Sequence, residues 1–166
     1  MRMIFGMTLL TFVHVLLSLI GIGSGFVVLF GLLTSRRLDG WTALFLVTTG
    51  LTSVTGFLFP FHRFLPSHGV GIVSLIVLAL ATFALYVRRL AGAWRRTYVI
   101  AAVIALYLNV FVLIAQLFQK APALRALAPT QSEPAFKITQ LVVLALFIVL
   151  CVLAAMKFRD TTVRTA

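Results

Sequence analysis

Apolar side chains run almost unbroken through residues 4–33, 41–61, 69–87, 97–118 and 138–156, and most charged residues are gathered between those runs. Each run is near or above the ~20 residues that a helix needs to cross a hydrocarbon core of about 30 Å. In lipid, the backbone N–H and C=O groups must be satisfied within each segment, so a continuous run forms a helix. A membrane barrel requires strands of about 10 residues that alternate apolar and polar positions, and these runs do not alternate. The pattern therefore predicts an all-α protein with one domain over residues 1–166: an integral membrane bundle of five transmembrane helices, over approximately 8–33, 41–60, 68–87, 97–118 and 135–156.

The connectors carry their own signals. Asp39-Gly40 makes a short turn and Trp41 opens the second span as an interfacial anchor. Pro60 and Pro66 close the second span and confine the connector that follows it. The longest connector, 119–137, is divided by Pro122, Pro129 and Pro134, with a short interfacial helix expected over 123–128. Thr130-Gln131-Ser132-Glu133 has capping-box spacing ahead of Pro134, so Thr130 or Ser132 is expected to cap the fifth span. Arg2 ahead of an apolar run resembles a secretory leader. The run continues to Leu33 and stops at Ser35-Arg36-Arg37, however, which is the pattern of a retained span.

Composition agrees with the pattern: 62% of residues are hydrophobic and only 10% charged, against about 25% charged in soluble domains. A net charge of +11 would suit nucleic acid, but its distribution points to the lipid bilayer as partner. Arg36, Arg37, Arg88, Arg89, Arg95, Arg96, Lys157, Arg159 and Arg164 fall on one side, whereas Arg2, Arg63, Lys120, Arg125 and Lys137 fall on the other. The richer side marks the cytoplasm, which predicts the N-terminus outside, the C-terminus inside and no nucleic-acid binding.

Helical periodicity then assigns faces. Met3, Met7, His14, Ser18, Gly21 and Gly25 share one side of the first run, and Gly21 and Gly25 form a GxxxG pair suited to close helix packing. Thr42, Thr49, Ser53 and Gly56 make a stripe on the hydroxyl-rich second run. Tyr98, Asn109 and Gln116 align on the fourth, and Gln140 lies early in the fifth. Because lipid cannot satisfy polar side chains, Thr49, Ser53 and Asn109 are expected to face the bundle interior.

The three histidines, His14, His62 and His68, all fall on the predicted outer side. Imidazole ligates haem iron, copper or zinc and hydrogen-bonds quinones, and the methionines near His14 would add soft ligands for copper. These residues predict a small-ligand pocket between spans one to three, built on His14 and His68, with His62, Gln116 and Gln140 as further candidates. No Asp or Glu lies within a run, so the usual carboxylate relay of coupled transporters and a Ser-His-Asp triad are both missing. Cys151 is the one cysteine and is expected to act as an apolar packing residue. Two other readings remain open: an accessory or scaffold subunit that binds a membrane-protein partner or a second copy, and a small-solute transporter lined by the second run.

Thr48-Thr49 through Pro60, Pro66-Ser67-His68-Gly69 and Leu127-Ala128-Pro129-Thr130-Gln131-Ser132-Glu133-Pro134 resemble a family of small bacterial polytopic inner-membrane proteins with no assigned activity. The resemblance implies the bacterial cytoplasmic membrane as location, and no residue roles.

Overall fold

In the computed structural model, which describes residues 3–4, 7–59 and 66–159, the apolar runs are helices and the all-α expectation holds. They are α1 (Leu9–Leu33), α2 (Asp39–Gly56), α3 (Pro66–Thr82), α4 (Trp94–Lys120), α5 (Pro122–Leu127) and α6 (Pro134–Lys157). A π-helical segment, Phe83–Val87, continues α3. A two-residue antiparallel ladder pairs Met3–Ile4 with Met7–Thr8 ahead of α1.

The boundaries have local causes. Thr8 Oγ1 accepts from the Thr11 amide at 3.2 Å and so caps α1 at Leu9. Met3 and Met7 therefore lie outside the helix, and the helical spacing that put them on the face of His14 does not apply. At the far end, the amides of Ser35 and Arg36 bond to the carbonyls of Leu32 and Gly31, a Schellman closure with Ser35 at φ +55°. Asp39 opens α2, where its charge suits the helix N-terminus, and it pairs with Arg37. Between the π segment and α4 the chain reverses through left-handed Arg89, Leu90 and Gly92.

The expected cap of the last helix needs correction. Glu133, not Thr130 or Ser132, occupies the N-cap position and makes no side-chain cap bond. Gln131 at φ +60° curls the preceding turn, so the Glu133 carboxylate accepts from the Thr130 amide (3.2 Å), the Thr130 hydroxyl (2.8 Å) and the Ser132 amide (3.0 Å).

α1, α2, α3 and α4 pack in chain order around a ring that α4 closes against α1, and α6 lies outside it against α4 and α1. An apolar core fills the end where α1 stops and α4 begins, with Leu29, Leu32, Phe45, Leu85, Val99, Leu106 and Phe158 among its members. Arg36, Arg37, Arg88, Arg89, Arg95, Arg96, Lys157 and Arg159 border this basic end. There Ser35 Oγ accepts from the Arg159 amide at 2.8 Å and lies 3.0 Å from its carbonyl, which ties the end of α6 to the α1–α2 turn.

α1, the stretch His68–Val87, α4 and α6 are long and apolar enough to cross a membrane. α2 falls short of that composition because it carries Asp39 and six hydroxyl residues in 18 positions. The distribution of polarity is inverted relative to a soluble bundle. Ser24, Thr42, Thr48, Thr49, Thr52, Ser53, His68, Ser74, Asn109 and Gln140 are buried, while Phe30, Val47, Ile76, Leu141 and Met156 are exposed.

Candidate functional site

α2 organises the polar interior. Isolated hydroxyls in a helix bond back to the carbonyl one turn earlier. Thr48, Thr52, Ser53 and Thr55 do this, reaching the carbonyls of Leu44, Thr48, Thr49 and Leu51 at 2.7–3.0 Å. From the same helix, side chains reach each other member of the ring. Thr42 Oγ1 lies 3.4 Å from the Tyr98 hydroxyl, Asn109 Nδ2 donates to Thr49 Oγ1 at 3.0 Å, and the hydroxyl oxygens of Ser53 and Ser74 lie 3.2 Å apart. Thr55 Oγ1 lies 2.9 Å from His14 Nδ1. Tyr98 and Asn109 thus bridge the ring diagonal between α2 and α4.

The approach of α1 to α2 depends on missing side chains. A Cβ on Gly21 would stand 3.0 Å from Thr49 Oγ1, and one on Gly25 would stand 2.6 Å from a Leu106 methyl and 2.9 Å from the Phe45 ring. Gly21 and Gly25 therefore seat α1 against α2, with Thr49, wholly buried, facing Gly21.

His14 and His68 both meet the C-terminal end of α2, but through different residues. His14 is half-buried and stands edge-on to Phe59, with ring centroids 5.2 Å apart. His68 is buried, and its ring lies 5.8 Å from that of Phe57. His62 lies outside the described residues. Gln116 is exposed near the end of α4. Gln140 is buried at the α4–α6 contact, where Nε2 donates to the Phe111 carbonyl at 3.1 Å and Oε1 has no hydrogen-bond partner among the described residues. Among the described residues, no hydrogen bond joins either glutamine to His14.

The hydrogen bonds around Thr55 fix the state of His14. Thr55 has one hydroxyl proton, and its oxygen lies 2.8 Å from the Leu51 carbonyl and 3.1 Å from the Thr52 carbonyl. Carbonyls only accept, so the proton points to them and Thr55 Oγ1 accepts from His14. In the neutral ring, Nδ1 then carries the hydrogen and Nε2 the lone pair, the arrangement that orients a ligating imidazole. Among the described residues, no group of three His, Cys, Asp or Glu side chains could hold a metal ion.

Three residues beside the candidates were not legible as site residues. Thr55 and Ser74 bond across helices that the sequence does not align. Phe59 lies in an aromatic-rich stretch, Phe57 to Phe61, that reads equally well as the end of a span. In comparisons with known proteins, no family model matches the chain, and no significant match to a curated protein or a solved structure was found.

Proposed function

We propose that this is a five-span protein of the bacterial cytoplasmic membrane that binds one small ligand at the histidine end of the bundle, through His14. α2, added to the four helices long and apolar enough to cross, completes the five spans in this reading. Its 18 residues make about 27 Å of helix, its hydroxyls turn inward, and Leu44, Val47, Leu51 and Val54 cover its outer face. The basic end faces the cytoplasm, because the side richer in Lys and Arg is retained there.

The observation that carries the ligand proposal is the His14–Thr55 pair. A lone pair on Nε2 accepts a hydrogen or ligates a metal, so it suits a quinol hydroxyl or the iron of a haem and does not suit a quinone carbonyl, which also accepts. A haem or quinol needs few protein ligands and a largely apolar wall, which agrees with a single anchored imidazole better than copper or zinc held by several ligands. His68 supplies the neighbouring wall across the end of α2.

The test is a visible spectrum and metal analysis of the purified full-length protein, followed by titration with haem and with a quinol. Saturable binding that His14→Ala abolishes, with the helical circular dichroism unchanged, is the expected result. A colourless, metal-free protein that binds neither ligand would refute the proposal. The accessory-subunit reading has one observation in its favour: α6 packs on one side only and exposes Ile138, Leu141, Val142, Val149 and Met156 along its length. Cross-linking in native membranes that traps a partner or second copy on α6 would favour it. The transporter reading is weakened by the commitment of the α2 hydroxyls to carbonyls and neighbouring helices.

A further inference from the structure

A lateral cleft of about 190 Å³ opens between α2 and the π segment, lined by Ala43, Leu46, Val47, Thr82 and Tyr86. Its walls are mainly apolar, and Val47 and Tyr86 stand exposed at its edge. It belongs to the basic half of the bundle, away from His14. A π turn widens the helix by one residue and is common where a helix surface is shaped for a function. Two and three residues beyond Tyr86, Arg88 and the left-handed Arg89 are exposed. The Arg88 guanidinium lies 5.3 Å from the Trp94 ring centroid. On the first turn of α4, Arg95 Nε is shielded from solvent and has no hydrogen-bond partner among the described residues. A shielded guanidinium donor calls for an acceptor, and among common anions phosphate matches that fork well.

An apolar cleft with exposed Arg88 and Arg89 two and three residues beyond its Tyr86 wall has the chemistry of a lipid with an anionic head. We infer that the cleft between α2 and the π segment seats an acyl chain of one anionic phospholipid, whose phosphate is held by Arg88, Arg89 and Arg95. Positive charge near a membrane surface attracts anionic lipid in general; the cleft turns that general attraction into a single, saturable seat. Thr82 and Tyr86 supply hydroxyls between the chain and the phosphate. The proposal does not depend on a ligand at His14.

Native mass spectrometry of the full-length protein in detergent tests the proposal, with phosphatidylglycerol and phosphatidylcholine of identical acyl chains added at equal concentration. Wild type is expected to retain one phosphatidylglycerol per chain, at least about tenfold over phosphatidylcholine. Ala43→Trp, which fills the cleft, is expected to lose that lipid, as is Val47→Phe at the cleft's exposed edge, so that misfolding of either variant does not decide the matter. The pair Arg89→Gln and Arg95→Gln is expected to abolish the preference for phosphatidylglycerol. Equal retention of both lipids by wild type would overturn the proposal. It would also be overturned if the filled-cleft variants kept the lipid and only the arginine variants lost it, since diffuse surface attraction would then account for the binding.

Discussion

The hydrogen bond from Asn109 to Thr49 crosses the diagonal of the ring, and a double-mutant cycle on this pair probes the polar interior directly. Thr49 is wholly buried and Asn109 nearly so, with 3.0 Å between Nδ2 and Oγ1. Thr49→Val keeps the side-chain shape and strands the Asn109 donor, so it should cost about 1–3 kcal/mol. Asn109→Leu strands only a hydroxyl, which can turn to the carbonyl one turn back, so it should cost less, about 0.5–1.5 kcal/mol. In membrane proteins such pairs couple by ~0.6 kcal/mol on average and by up to ~1.7. This pair has no access to water and is expected in the upper half of that range, at about 1–1.5 kcal/mol. The assay is reversible unfolding from mixed detergent micelles, followed by circular dichroism for the wild type, the two single variants and the double variant. If the single effects add to within ~0.3 kcal/mol, the two side chains do not interact, and the polar interior is wrongly drawn at its centre.

Two further outcomes follow from other parts of the fold. Gly25→Ala forces a methyl against Leu106 and Phe45 and should cost about 1–3 kcal/mol. Gly23→Ala meets nothing within 4 Å and should be neutral or stabilising by up to about 1 kcal/mol; the same unfolding assay separates the two. At Glu133, desolvation raises the carboxyl's titration point, but bonds from the Thr130 hydroxyl and the backbone amides of Glu133, Thr130 and Ser132 outweigh it, so the net shift is downward. A depressed carboxyl stabilises the fold above its ordinary value of 4.5 and loses that contribution as pH falls through its lower folded value. The order of the α5–α6 turn, read by amide hydrogen exchange, should therefore decline with acid in this range, and Glu133→Gln should remove that dependence.

The helices were legible because each apolar run is long and carries a boundary signal at its ends. Pro134 starts a helix and the Ser35-Arg36 turn stops one, whereas Asp39 and Gly40, expected to form a turn ahead of Trp41, are the first residues of α2. α2 was harder to place, because hydropathy averages over a helix whose hydroxyls and apolar residues occupy opposite faces. Helical periodicity separates the two faces, and packing against α1, α3 and the side chains of α4 gives the hydroxyls their partners. The first run misled at its start: apolar composition continued through Met3 and Met7, but hydrogen bonding there follows the Thr8 cap and not the hydropathy. The site was legible as residue types and not as partners. His14 and Thr55 are 41 residues apart, and the proton assignment on His14 needs Thr55's bond to the Leu51 carbonyl, which no spacing rule supplies. Gln140 was grouped with the histidines by depth alone, whereas α6 packs against α4 and α1, so it meets Phe111 instead.

Whether α2 lies in lipid with its hydroxyls turned inward decides more of this account than any other single point. The direct measurement places spin labels singly at Val47, Leu51 and Val54, in a Cys151→Ser background within vesicles, and compares accessibility to oxygen with that to a water-soluble nickel chelate. High oxygen and low nickel accessibility at all three positions is the predicted result. Nickel accessibility as high as that of a label at Arg89 would show that α2 faces water, and the five-span bundle with its buried hydroxyl helix would be contradicted.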